Sequence, residues 1–185
     1  MNDEHAESVL AFWREAGPGR WFAKDDGFDA ACRHRFGDLH LEASRGPVAS
    51  WIGSPDTALA FILLTDQIPR NLYRGSAHAF ATDPLALAAA RLAIAHGHDE
   101  ATEPALRPFL YLPFEHSEDP RDQARSLQLF AQHAERSGDT HSLHWARLHA
   151  DIIRRFGRFP HRNAALGRET TPEEKAFLDA GGFSG

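Results

Sequence analysis

The chain has 185 residues, a formal net charge of −6, no apolar run approaching a membrane span and one cysteine, which excludes an internal disulfide. That length fits a single domain over residues 1–185, able to bury a core without covalent staples. The opening "MNDEHAESVLAFW" is acidic and lacks the basic and apolar regions of a secretion signal, so a soluble, cytoplasmic protein with no membrane partner is expected.

Helical punctuation runs from end to end, and β-branched alternation is missing. In "ESVLAFWREAG", Val9, Leu10, Trp13 and Ala16 form a helical stripe that stops at Gly17-Pro18. Phe28, Ala31, Cys32, Phe36 and Leu39 form a second, ended by Gly46-Pro47. "SPDTALAFILLTDQIPRN" has Ser54 as N-cap and Pro55 at the first helical position. It is apolar on every side from Ala58 to Leu64, which predicts a helix buried all round at the centre of the fold. Pro69 predicts its end near Ile68.

Asp83 is the expected cap of "PLALAAARLAIAHG", which Gly97 closes, and a proline-broken pair of turns follows in "EPALRPFLYLPF". "PRDQARSLQLFAQHAERSG" and "SLHWARLHADIIRRFG" read as two amphipathic helices joined by a short loop and packed antiparallel. The second carries the stripe Trp145, His149, Ile152, Ile153 and Phe156 toward the core, with His141 and His144 on the surface. "TPEE" at Thr171 is a capping box for the last helix. The fold class is all-α, with about seven or eight helices in antiparallel pairs, compatible with a helical-repeat array.

Three polar stretches stand beside these apolar helices. The first, "DQIPRNLYRG", places Asp66 in the last turn of the central helix, where the helix dipole and burial both demand a cationic or hydrogen-bonding partner. The second, "LPFEHSEDP", surrounds His116 with Glu115, Glu118 and Asp119. A carboxylate beside an imidazole orients it for acid or base work. Its spacing matches no zinc or di-iron motif, so neither a metal nor a cofactor is predicted.

The third stretch, "RRFGRFPHRNAALGR", holds five of the 18 arginines and no acid. Arg154 and Arg155 are explained by the negative end of a helix. Arg158, His161, Arg162, Asn163 and Arg168 follow in a loop, where guanidinium forks suit either carboxylates of the chain or an anionic ligand. Because the remainder is strongly acidic, general nucleic-acid binding is not expected.

"LLTDQIPRNLYRG", "AFATDPLALAAA", "FLYLPFEHSED" with Gln123, and "RFGRFPHRNAALGRETTPEE" resemble the bacterial family called domain of unknown function 924, from about Trp21 to the last helix. The resemblance implies an all-helical fold related to tetratricopeptide repeats and carries no established activity. Its polar signature falls on Asp66, Gln67, Arg70, Asn71, Arg74, Asp83, Glu115, His116, Glu118, Arg158, His161, Arg162, Asn163 and Arg168. One departure is Trp13-Arg14, where members often carry Trp-Phe.

The expected function is a pocket assembled from the three stretches. Asp66, Arg70, Asn71, Arg74, Glu118, Arg158, Arg162, Asn163 and Arg168 would line it, with Arg70, Arg158 and Arg162 gripping an anionic small molecule or a peptide carboxylate. His116 or His161, beside Glu115, is the expected acid or base if a reaction occurs. The alternatives are a non-enzymatic helical-repeat-like module that clamps an acidic peptide, and a buried network that only locks helix ends together.

Overall fold

A computed structural model describes residues 3–184, which contain α-helices, short 3-10 turns and one π-helical turn, and no strand. The helices are α1 (Asp3–Ala16), α2 (Pro18–Trp21), α3 (Asp26–Arg45), α4 (Pro55–Ile62), α5 (Ile68–Leu72), α6 (Asp83–Ala95), α7 (His98–Ala101), α8 (Pro108–Glu115), α9 (Pro120–Ser137), α10 (Thr140–Phe156) and α11 (Pro172–Asp179). Eight of them have eight residues or more, so the all-α expectation holds. Among the described residues, none of the helices is long and apolar enough to cross a membrane. The chain divides into two compact units, Met1–Arg74 with His78–Pro113, and Gly75–Ala77 with Phe114–Gly185.

In the first unit, α4 is buried from Thr57 to Ile62 and packs against α1 and α6. Its start is fixed by a reciprocal capping box between Ser54 and Thr57. The expected stop near Ile68 does not occur. The chain widens into a π-turn at Leu63–Gln67, with the Ile68 N–H donating to the Leu63 carbonyl, and continues through Pro69 to Leu72. The physical reason lies in the carbonyl of Thr65, which Pro69 cannot serve because it has no N–H. Thr82 donates its hydroxyl to that carbonyl at 2.6 Å, so the buried acceptor is satisfied from outside the helix.

The sequence places Asp83 as the cap of α6, and the structure corrects this. Thr82 holds the N-cap position, and Asp83 is the first helical residue. The "EPALRPFLYLPF" segment also differs from its expected broken turns, since Pro113 lies inside the continuous helix α8, which ends two residues later at Glu115.

The second unit is built on α9 and α10, which pack against each other across the turn at Gly138 and Asp139. Gly138 takes the left-handed conformation that closes α9, and Asp139 caps α10 by accepting from the Ser142 N–H at 3.0 Å. Ile152, Ile153 and Phe159 form a core that Leu148, Phe156, Phe177 and Phe183 cover. Trp145, expected on the core stripe, is instead 37% exposed at its rim. Its ring is met by Phe183 at 6.0 Å and by His141 and His144 at 6.0 and 5.7 Å.

Candidate functional site

The first polar stretch finds its charge partners inside the first unit. Arg70 makes a fork onto Asp83, with both contacts at 3.1 Å, donates to the Asp66 backbone carbonyl, and lies 3.5 Å from the Asp66 carboxylate. Asp66 is fully buried and also accepts from Gln67. Asn71 donates to Asp29 at 2.8 Å, and Arg74 forks onto the same carboxylate at 2.7 and 2.8 Å. Burial opposes the charged form of Asp29, but Arg74 and Asn71 outweigh it and hold the carboxyl below its ordinary value. Sequence reasoning missed Asp29 because one acid in the first turn of a helix gives no sign that it serves a distant arginine.

The second and third stretches join in the second unit. Gln123, on the buried face of α9, donates to the carbonyls of Glu115 and Ser117 at 2.7 and 2.6 Å, so it takes up backbone acceptors where α8 ends. Asp119 caps α9 through the Arg121 N–H at 2.8 Å. Glu118 reaches the loop. It accepts from the Phe159 N–H at 2.7 Å and from both terminal nitrogens of Arg168 at 2.7 and 3.0 Å. Burial works against its charge, yet the Arg168 and Phe159 donors hold its carboxyl below the usual range.

Arg168 also donates to the Phe159 carbonyl and to Asn163, at 3.0 Å each. Arg158 forks onto Glu174 at 2.6 and 2.9 Å, and Asn163 donates to the same carboxylate at 3.2 Å. With Arg158 and the Thr171 N–H as donors, the Glu174 carboxyl is pulled down to about 2. Sequence reasoning saw Glu174 only as half of a capping box; its second role depends on where the loop lands. Arg154 and Arg155 pair outside this network with Asp151 and Glu173.

The charge of Arg162 also acts on Glu118. Arg162 is buried, and its guanidinium lies 4.5 Å over the ring of Phe159. Phe159 is also at the centre of an imidazole cluster, with ring centroids 5.4 Å from His149 and 5.6 Å from His161. His116 stands 6.4 Å from His149. Phe183 meets His149 at 4.6 Å and His161 at 5.0 Å, edge to face in both cases.

Within the cluster, His149 and Glu115 are 6% and 2% exposed. Nδ1 of His149 lies 2.9 Å from the Trp145 carbonyl and 3.0 Å from Glu115 Oε1. Both are acceptors, so Nδ1 carries a proton and donates. Thus Glu115, His116 and His161, expected as a catalytic set, share a unit with Glu118, Arg158, Arg162, Asn163 and Arg168, and His149 joins them. The sequence showed His149 on an apolar face, which is also the signature of an ordinary core residue. No group of three or more His, Cys, Asp or Glu side chains suited to a metal occurs among the described residues.

A family model described as a bacterial protein of unknown function, DUF924, matches residues 9–182. The chain is also similar to the solved structure of a protein of unknown function from Agrobacterium tumefaciens, at 47% identity and a TM-score of 0.88, over 95% of this chain and 97% of that one. No curated protein matches. With blocks of sequence, fold and nearly the whole length in agreement, the chain belongs to the bacterial family of unknown function DUF924.

Proposed function

We propose that the imidazole cluster of the second unit binds a small anionic molecule, with His149 as the group that exchanges a proton with it and Arg162 as a nearby positive charge. The observation that carries this reading is the buried Glu115–His149 pair, whose 3.0 Å contact orients the imidazole and assigns Nδ1 as the donor. A carboxylate-oriented histidine presents its other nitrogen in a defined direction, which acid or base work requires. The position of Arg162 over Phe159 adds a positive charge beside the same aromatic wall. Arg158, expected as an anion grip, forks onto Glu174 and so holds the loop that carries Arg162.

Nitrogen-15 NMR of the histidines during titration with acetate and with inorganic phosphate tests the reading. The expected result is a saturable shift at His149 Nε2 while Nδ1 stays protonated, abolished in His149→Gln and weakened by about tenfold in Arg162→Lys, as for loss of one charge-assisted contact. An imidazole spectrum unmoved by either anion, or an anion response that survives His149→Gln, would remove it.

A further inference from the structure

The junction of α6 and α7, outside the three polar stretches, brings two histidines of the first unit together. α6 closes on His96 as its C-cap, and α7 opens at His98. Gly97 between them takes φ +72°, the left-handed conformation that a side chain would strain. This turn sets the two imidazoles side by side, with ring centroids 5.5 Å apart and planes at 43°. Nε2 of His98 lies 3.1 Å from the Ile52 carbonyl. A carbonyl only accepts, so Nε2 carries the proton and donates, and Nδ1 keeps its lone pair. His98 is half-buried and held by that bond, whereas His96 is exposed.

We propose that His96 and His98 bind a divalent transition-metal ion of the zinc class, with water filling its remaining positions. A metal-ligating imidazole almost always donates its other ring N–H to a carbonyl, carboxylate or water, which fixes both tautomer and ring orientation. The Ile52 carbonyl does this for His98 and leaves Nδ1 as the ligating nitrogen. The separation fits as well. With Zn–N bonds of about 2.0–2.1 Å and tetrahedral angles, two rings on one ion have centroids about 5 Å apart, close to the 5.5 Å between these two. Among the described residues, His98 makes its one hydrogen bond to Ile52 and His96 makes none, so binding breaks no existing contact of either ring. Imidazole donors suit zinc, copper and nickel, whereas magnesium and calcium take oxygen ligands. A pair of ligands is fewer than a closed structural site uses, so the ion stays open to solvent.

The test is calorimetry of the full chain, stripped with a chelator, against zinc chloride, with magnesium chloride as the comparison ion. Nitrogen-15 NMR of the histidines locates the bound ion. The expected result is one zinc per chain, with shifts at His98 Nδ1 and at one ring nitrogen of His96, while His98 Nε2 keeps its proton and magnesium gives no response. His96→Gln, a change at an exposed position, should weaken zinc by about tenfold or more, at least the loss that follows removal of a partner behind a metal ligand. The NMR shifts are read on the unsubstituted chain, so they decide the matter even where a variant disturbs the turn at Gly97. Zinc affinity unchanged in His96→Gln, zinc shifts confined to other histidines, or no zinc binding at all would each overturn the proposal.

Discussion

Replacing Glu118 with Gln probes the contact through which the second polar stretch holds the arginine loop. Glu118 accepts three hydrogen bonds, two from Arg168 and one from the Phe159 N–H. Glutamine keeps the shape and one acceptor, but turns the other oxygen into an N–H donor facing the guanidinium. Hydrogen bonds to charged groups contribute about 1.5–3 kcal/mol each. The side chains of Glu118 and Arg168 are 29% and 23% exposed, so solvent screens part of this. One lost and one weakened contact then give a deficit of about 2–3 kcal/mol at neutral pH, or a fall of about 5–10 °C in Tm for a chain of this size.

The pH dependence gives a second signature. The folded-state carboxyl of Glu118 lies below its ordinary value of 4.5, so its contribution is fully present above that value and is lost as pH falls through the folded value. Denaturant unfolding of parent and Glu118→Gln from neutral pH to about pH 3 is the assay, and the difference should shrink toward acid. Arg168→Met should cost less in the Glu118→Gln background than alone, since the two share the interaction. A deficit below about 0.5 kcal/mol at neutral pH, or one that does not change with pH, would refute the account.

Two further predictions concern the first unit. Thr82→Val removes the hydroxyl that donates to the Thr65 carbonyl and leaves a buried acceptor beside the π-turn, so stability should fall by about 1–3 kcal/mol in denaturant unfolding. An unchanged midpoint would show that the π-turn does not depend on this contact. Burial, with the Asp29 charge nearby, pushes the Cys32 thiol up to about 12, and the side chain is fully covered. Aromatic disulfide reagents at about pH 8 should therefore label the native protein only as fast as it opens, with full labelling in denaturant.

What the sequence disclosed follows the range of the interactions involved. Helix starts are local, and Ser54 with Thr57 and Thr171 with Glu174 form the caps their spacing predicts. The all-round apolar run from Ala58 to Leu64 put α4 at the centre because a helix without a polar face has nowhere else to go. The passage of the chain through Pro69 was hidden, since the donor that permits it, Thr82, lies 17 residues from the Thr65 carbonyl it serves. The pairings Asp29 with Arg74, Glu118 with Arg168, and Glu115 with His149 span tens of residues in the same way. Residue types announced that such partners must exist, because buried charges are costly alone, but only the fold assigns them.

The arginine-rich loop illustrates what that assignment does. Its fifteen residues contain no acid, yet Glu118 and Glu174, from its two sides in sequence, supply bidentate partners for Arg168 and Arg158. The loop is thereby pinned at both ends by ion pairs, and Phe159, whose N–H and carbonyl are held by Glu118 and Arg168, is fixed at the middle. Phe159 in turn carries Arg162 on its ring and borders His149 and His161. Rigid positioning of a cation and an imidazole by side chains that do not themselves touch the ligand is the arrangement a binding site requires. On this reading Arg158 and Arg168 are scaffold, and the proposed chemistry belongs to the histidine that Glu115 orients.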